Sequence, residues 1–238
     1  MSALRWRRLL LKISGEALMG DSAFGIEQAT VDRIAAEVAE VVKLGAELGL
    51  VVGGGNFLRG ATMKSAGADR VIGDHMGMLA TVINCLALDS ALKALGVRSV
   101  VVSALPVPTV CESFTQRDAL GHMARGKVVL FAGGTGNPFF TTDTGAALRA
   151  AEMGCEALLK GTNVDGVYSA DPNLDATARR YERLTHQDVL ERNLKVMDAT
   201  SIALARDNGI PIIVFSIKTP GALVEVVQGR GRATEVAD

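Results

Sequence analysis

The 238-residue chain is poor in several things, and each scarcity excludes a class of protein. Cysteine occurs three times, as Cys85, Cys111 and Cys155, an odd number at wide spacing in apolar surroundings. That pattern reads as buried thiols of a cytoplasmic protein and excludes a disulfide framework or a cysteine zinc site. Histidine also occurs three times, as His75, His122 and His186. No spacing among them suggests a metal centre or a catalytic triad, and His122 and His186 fall in ordinary helical stretches. Neither sign of charge prevails, with 25 Lys plus Arg against 26 Asp plus Glu and a net charge of -1. A general electrostatic pull toward nucleic acid or an anionic membrane is therefore not expected. No unbroken apolar run reaches the roughly 20 residues of a membrane helix, and the N-terminus lacks a signal-peptide core. Proline is sparse, at 6, and no linker, repeat or low-complexity stretch interrupts the chain. A single domain over residues 1–238 is the simplest expectation, long enough to bury roughly 70–75% of its unfolded surface.

What the chain does have is apolar residues, at 48%, and glycine, at 26. Buried strands are expected at Arg8–Ile13, Leu48–Val52, Val97–Leu105, Lys127–Ala132, Ala157–Lys160 and Ile210–Phe215. Helical spacing runs from a Thr30 cap to about Leu48, and again over Asp74–Leu95, Gln116–Arg125, Thr144–Met153 and Asp198–Asn208. Strands apolar on both faces that alternate with helices indicate an α/β protein whose mostly parallel sheet is covered on two sides. The tail from Gln228 to Asp238 is polar and reads as frayed or peripheral.

The glycines cluster where strands end. Ser14-Gly15 follows the first strand, Gly53-Gly54-Gly55 the second, and Gly133-Gly134-Thr135-Gly136 the fourth. In open α/β sheets ligands bind at the carboxyl ends of strands, and a glycine lets backbone amides approach an anion. One such loop is more simply a tight turn; three at one sheet edge favour phosphate binding. The familiar phosphate motifs are absent, since no Gly-Lys-Ser/Thr occurs and Leu58 replaces the third glycine of the dinucleotide fingerprint. Lys12 and Lys160 each close an apolar strand beside a glycine turn. Two cations so placed could flank a transferring phosphoryl group, whose transition state spreads charge over its oxygens. A phosphate monoester acceptor, largely ionised at neutral pH, would need no general base.

Seven motifs succeed one another along the chain: Lys12-Ile13-Ser14-Gly15-Glu16-Ala17, Gly53-Gly54-Gly55-Asn56, Arg59-Gly60, Gly73-Asp74-His75-Met76-Gly77-Met78-Leu79-Ala80-Thr81, Gly134–Asp143, Val164-Asp165-Gly166-Val167-Tyr168 and Lys195-Val196-Met197-Asp198. With these in order, the chain from about Lys12 to Leu223 closely resembles the bacterial UMP kinase (uridylate kinase) family of the amino-acid kinase superfamily. The resemblance implies a three-layer αβα sandwich with a mostly parallel central sheet, the amino-acid kinase fold. The acceptor side would be mainly N-terminal and the ATP side mainly residues 144–238. The implied activity is Mg²⁺-dependent phosphorylation of UMP by ATP, giving UDP and ADP for pyrimidine nucleotide (CTP) biosynthesis. GTP activation, UTP inhibition and a homohexamer built as a trimer of dimers come with it.

Position by position, the resemblance implies that Lys12 and Lys160 neutralise the phosphoryl group, that Asp143 organises them and that Asp198 lies nearby. Lys12, Ile13, Ser14, Gly15, Gly55, Arg59, Thr162, Asn163, Tyr168 and Asp171 would meet ATP. Gly54, Asp74, Thr135, Gly136, Asn137, Pro138, Phe139, Phe140, Thr141 and Thr142 would meet UMP. Gly20, Asp21, Ser22, Ala23, Phe24 and Gly25 match the loop tied to GTP response. The resemblance singles out no definite protein metal ligand, Mg²⁺ being carried by the nucleotide phosphates, which Asp198 would meet directly or through Mg²⁺. The stretch Lys93–Lys127 departs from the family pattern, with Val100 and Gln116 where basic and aromatic effector contacts occur elsewhere.

Plainer roles stand beside these. Asp143 and Asp198 each precede a helix and could cap it, Tyr168 could be a half-buried strand residue, and Asp171-Pro172 a turn. The Met76/Met78/Leu79/Ile83 face reads as core or subunit interface. A kinase for carboxylates or carbamates, or a silent nucleotide sensor, would use a similar scaffold without the Gly134–Asp143 loop or without the lysines.

Overall fold

A computed structural model describes residues 4–58, 69–172, 174–175 and 177–238. The apolar runs form the inner strands: β1 (Arg8–Ile13), β2 (Glu47–Val52), β3 (Ser99–Ser103), β5 (Val128–Ala132), β6 (Ala157–Thr162) and β8 (Ile212–Ser216). Short strands β4 (Glu112–Ser113) and β7 (Arg183–Leu184) at the edges and β9 (Ala233–Val236) beside β7 complete the sheet, none of them legible as a hydrophobic run. Among the described residues the order is β4-β3-β5-β2-β1-β6-β8-β9-β7, parallel throughout except for β8 against β9.

Helices cover both faces, as both-sided burial requires. On one face lie α1 (Gln28–Lys43), α2 (Arg70–Ala94) and α7 (Ala222–Val227), packed on Leu9, Leu11, Ile13 and Leu159. On the other lie α3 (Gln116–Ala124), α4 (Thr142–Glu152), α5 (His186–Glu191) and α6 (Ala199–Asp207), packed on Leu10 and Leu158. The expected three-layer αβα architecture is therefore present.

Several boundaries differ from expectation, each for a local reason. Glu27, not Thr30, stands at the N-cap of α1; the Thr30 hydroxyl instead donates to the Glu27 carboxylate. Helix α2 starts at Arg70 because the Asp69 side chain accepts the Val71 amide at 2.7 Å. By length and composition α2 could cross a membrane, but its residues Val82, Cys85, Leu88 and Leu92 are in the core. Its buried polar side chains Thr81, Asn84 and Asp89 also bond to protein groups, Asp89 accepting from Ser99 Oγ at 2.7 Å.

The tail is not frayed. Strand β9 lies antiparallel to β8, pairing Ile212 with Val236 and Phe215 with Ala233. Asp238 holds the buried ring of His186, whose Nε2 meets the Ile210 carbonyl at 3.1 Å, so that histidine is a structural anchor. The polar tail sequence hides this because alternate side chains face solvent while Thr234 and Val236 are fully buried.

Thr234 accepts the Val167 amide at 2.8 Å and donates to the Tyr181 carbonyl. Thr234→Val keeps the shape and orphans two backbone groups. Urea unfolding should reveal a loss of about 1–3 kcal/mol, the cost of a buried unsatisfied group.

Candidate active site

The strand period sets the site. Along β1 and β6, Leu10, Lys12, Leu158 and Lys160 face the α4 layer, while Leu9, Leu11, Ile13 and Leu159 face the other. The β1–β6 register pairs Lys12 directly with Lys160, so two ammonium groups meet side by side at the carboxyl ends of the strands. Asp143, in the first turn of α4, separates them: Lys12 Nζ lies 2.6 Å from Oδ1 and Lys160 Nζ 2.7 Å from Oδ2. The three side chains are at most 15% exposed.

Burial pushes the Asp143 carboxyl upward, but the Lys12 and Lys160 charges and their hydrogen bonds outweigh it and hold it below the usual carboxylate range. Burial and then the Lys12 charge push Lys160 below the usual lysine range, against the pull of Asp143.

Of the two possible roles of Asp143, capping falls to a neighbour. Thr141 is the N-cap of α4, its Oγ1 accepting the amides of Asp143 and Thr144. Asp198 does cap α6, accepting the Ser201 amide at 3.1 Å. It also accepts from the Thr141 and Thr144 hydroxyls, at 2.5 and 2.9 Å, so one carboxylate ties two helix N-termini together.

A cavity of about 680 Å³ opens beside Thr141 and Thr142, lined also by Gly54, Gly55, Asp74, Thr135, Asn137 and Phe140. Gly136, Pro138 and Phe139 are not in its wall; Phe139 is 63% exposed and adopts a left-handed φ of 74°. Its amide donates to Asp74 at 2.7 Å, fastening this loop to α2. A second cavity, about 510 Å³, is lined by Lys160, Thr162, Tyr168 and Asp171, while Asn163 lies outside its wall. The Tyr168 hydroxyl donates to Asp165 at 2.6 Å, and that bond raises its pKa. Lys195, to which the sequence assigns no role, lines this cavity together with Leu194 and Val196, which only the fold brings there.

Close packing explains two glycines. A Cβ on Gly15 would lie 2.3 Å from the Gly53 carbonyl oxygen, and one on Gly54 2.6 Å from that of Gly77. The Gly20–Gly25 segment abuts the same region, Gly25 exchanging two hydrogen bonds with Asn56, and Phe24 packing edge-on to Phe57. Arg59 lies outside the described residues.

Two cations clamped by one carboxylate, with one cavity lined by Lys160 and another reaching Thr142 next to Asp143, suit a reaction that moves an anionic group between two ligands. Known proteins share the sequence pattern and the fold. The Amino acid kinase family pattern matches residues 7–216. A uridylate kinase from Rhizobium meliloti is 60% identical over 233 residues, covering 98% of this chain and 97% of that protein. One from Bartonella henselae is 58% identical over 236 residues, 99% of each. The crystal structure of UMP kinase from Ureaplasma parvum superposes with a TM-score of 0.94 at 38% identity, covering 99% of this chain and 100% of that one.

Asp143→Asn removes the counter-charge and leaves two buried ammonium groups facing each other. Breaking a buried pair in this way should cost about 3–5 kcal/mol near pH 7. The folded variant would hold lysine protons less tightly than its unfolded chain, so its stability rises with pH. Urea unfolding should therefore give a smaller deficit at about pH 9 than at about pH 7; an equal deficit at both would contradict the electrostatic reading.

Proposed function

Because the chain belongs to the Amino acid kinase family, among its uridylate kinases, we propose that it transfers the γ-phosphoryl group of ATP to UMP. The observation that carries this reading is the Lys12–Asp143–Lys160 clamp between two cavities of nucleotide-bearing size. UMP occupies the cavity walled by Gly54, Asp74, Thr135, Asn137, Phe140, Thr141 and Thr142, with Gly136, Pro138 and Phe139 shaping its loop. ATP occupies the cavity of Thr162, Tyr168 and Asp171, with Asn163 at its margin and its phosphates toward Lys12, Ile13, Ser14, Gly15 and Gly55, and Arg59 is assigned to the same phosphates by its motif alone.

A UMP phosphate oxygen attacks the γ-phosphorus in line; the new P–O bond forms as the bond to the β-phosphate bridging oxygen breaks, releasing ADP and UDP. Lys12 and Lys160 offset the charge that accumulates on the transferring oxygens. Asp143 holds both ammonium groups in place, and Asp198 positions α4 through Thr141 and Thr144.

Among the described residues no three His, Cys, Asp or Glu side chains gather as a metal cage, and Asp143 and Asp198 are already engaged. That donor set fits a Mg²⁺ ion borne chiefly by the nucleotide phosphates, which Asp198 would meet only by giving up a bond to Thr141 or Thr144. When bound, Mg²⁺ supplies further neutralisation of phosphate charge.

A cytoplasmic place in pyrimidine nucleotide (CTP) synthesis, GTP activation through Gly20–Gly25, UTP inhibition and a homohexamer complete the reading. Support for assembly comes from α2, whose Ile72, Met76, Leu79 and Ile83 are 42–58% exposed while Met78 is buried. Free Cys85, Cys111 and Cys155 fit a reducing compartment, Cys85 and Cys155 being buried and Cys111 half-buried.

A coupled ADP-release assay over UMP, CMP, dTMP, AMP, glutamate derivatives and aspartate, with and without GTP, should respond to UMP first. ADP release with an amino acid and none with UMP would sink the assignment. Lys12→Ala should lower kcat by roughly 10²–10³, the scale of removing one transition-state donor, with smaller changes in nucleotide binding. Asp74→Asn should raise KM for UMP more than for ATP; equal changes would remove Asp74 from the acceptor site.

A further inference from the structure

One face of α2 reaches every loop around the acceptor cavity, at steps of three or four residues. The Gly77 carbonyl and Ala80 lie so close to Gly54 that a Cβ there would fall 2.6 and 2.9 Å away. The Thr81 hydroxyl donates to the Met78 carbonyl at 2.6 Å and accepts the Gly133 amide at 2.8 Å. Asn84, fully buried, donates to the Gly53 carbonyl at 2.7 Å and to Asn56 Oδ1 at 2.8 Å. Asn56 returns a bond to Asn84 Oδ1 and another to the Gly25 carbonyl, both at 2.9 Å. The two amides thus satisfy all four of their N–H donors, in a place where an unpaired one is costly.

We propose that Thr81 and Asn84 are positioning residues for phosphoryl transfer. Thr81 sets the loop that encloses the acceptor nucleotide through Gly133, and Asn84 sets the phosphate-facing turn through Gly53 and Asn56. The inference rests on the UMP kinase reading of the site. Thr81 lines the acceptor cavity while Asn84 lies behind it, and neither side chain needs to touch a reacting atom. Glycine loops have no side chains with which to hold themselves, and a helix packed across their backs supplies the missing restraint. Misplacement of reacting groups by about 1 Å can cost on the order of 10² in rate.

The test uses the full-length protein as Thr81→Val, Thr81→Ser and Asn84→Ala. Thr81→Val keeps the shape and deletes the acceptor for the Gly133 amide. It should raise KM for UMP about tenfold and leave KM for ATP within about twofold; Thr81→Ser, which keeps the hydroxyl, should recover most of that loss. Asn84→Ala should lower kcat roughly 10–10²-fold. A role in folding alone would reduce Vmax with the folded fraction and leave both KM values in place.

Hydrogen–deuterium exchange gives a readout independent of turnover. Peptides covering Gly133 should exchange faster in Thr81→Val, and those covering Gly53–Phe57 faster in Asn84→Ala. Unchanged KM for UMP in Thr81→Val, or unchanged exchange at these loops, overturns the proposal. Absence of UMP turnover in the unaltered protein would instead overturn the functional reading, while the exchange comparison still decides whether α2 holds the loops.

Discussion

Two lysines adjacent in register on neighbouring strands repel each other, and the structure depends on the single carboxylate that reconciles them. Lys12 and Lys160 are cross-strand partners, and Asp143 presents one oxygen to each. Burial makes the cluster expensive and therefore specific, because an uncompensated charge in this position would cost several kcal/mol. The demand propagates outward. Asp143 must arrive on the first turn of α4, so Thr141 must end the preceding loop as its cap, and Asp198 must draw Thr141 and Thr144 toward α6. A buried cluster of net positive charge is thus assembled from a chain of almost no net charge, since local placement and not the total decides the field.

Much of this is legible in the sequence because the relevant signals are local. Strand-end lysines, glycine clusters and the Gly134–Asp143 motif depend on neighbours in sequence, and so does the α/β alternation. The features that escape such reading are non-local. Strand β9 is stabilised by pairing with β8 and by Thr234 reaching Val167 and Tyr181, partners more than 50 residues distant, so its polar sequence carries little trace of it. His186 likewise takes its meaning from Asp238. Lys195 comes to the second cavity through the packing that follows α5, which no spacing rule anticipates. The early start of α2 turns on one Asp69 hydrogen bond in a stretch without hydrophobic periodicity.

The two layers of helices divide the labour around the sheet edge. The α4–α6 side delivers charge, through Asp143 and Asp198. The α2 side delivers neutral hydrogen bonds and close backbone contact to the glycine turns, through Gly77, Thr81 and Asn84, and keeps its charged Asp74 for the Phe139 amide. Neutral groups suit the second task because they orient a carbonyl or an amide without altering the potential at the phosphates.

The Lys12–Lys160 register also bears on how the chain finds its fold. A slip of one residue between β1 and its neighbours would turn Lys12 toward the layer occupied by Leu9, Leu11 and Ile13, all fully buried, and bring Leu11 or Ile13 into its place. Leucine-rich parallel strands offer few other marks to distinguish one alignment from the next. The charged pair supplies such a mark, so the residues proposed to handle phosphate also serve to reject misaligned sheets during assembly.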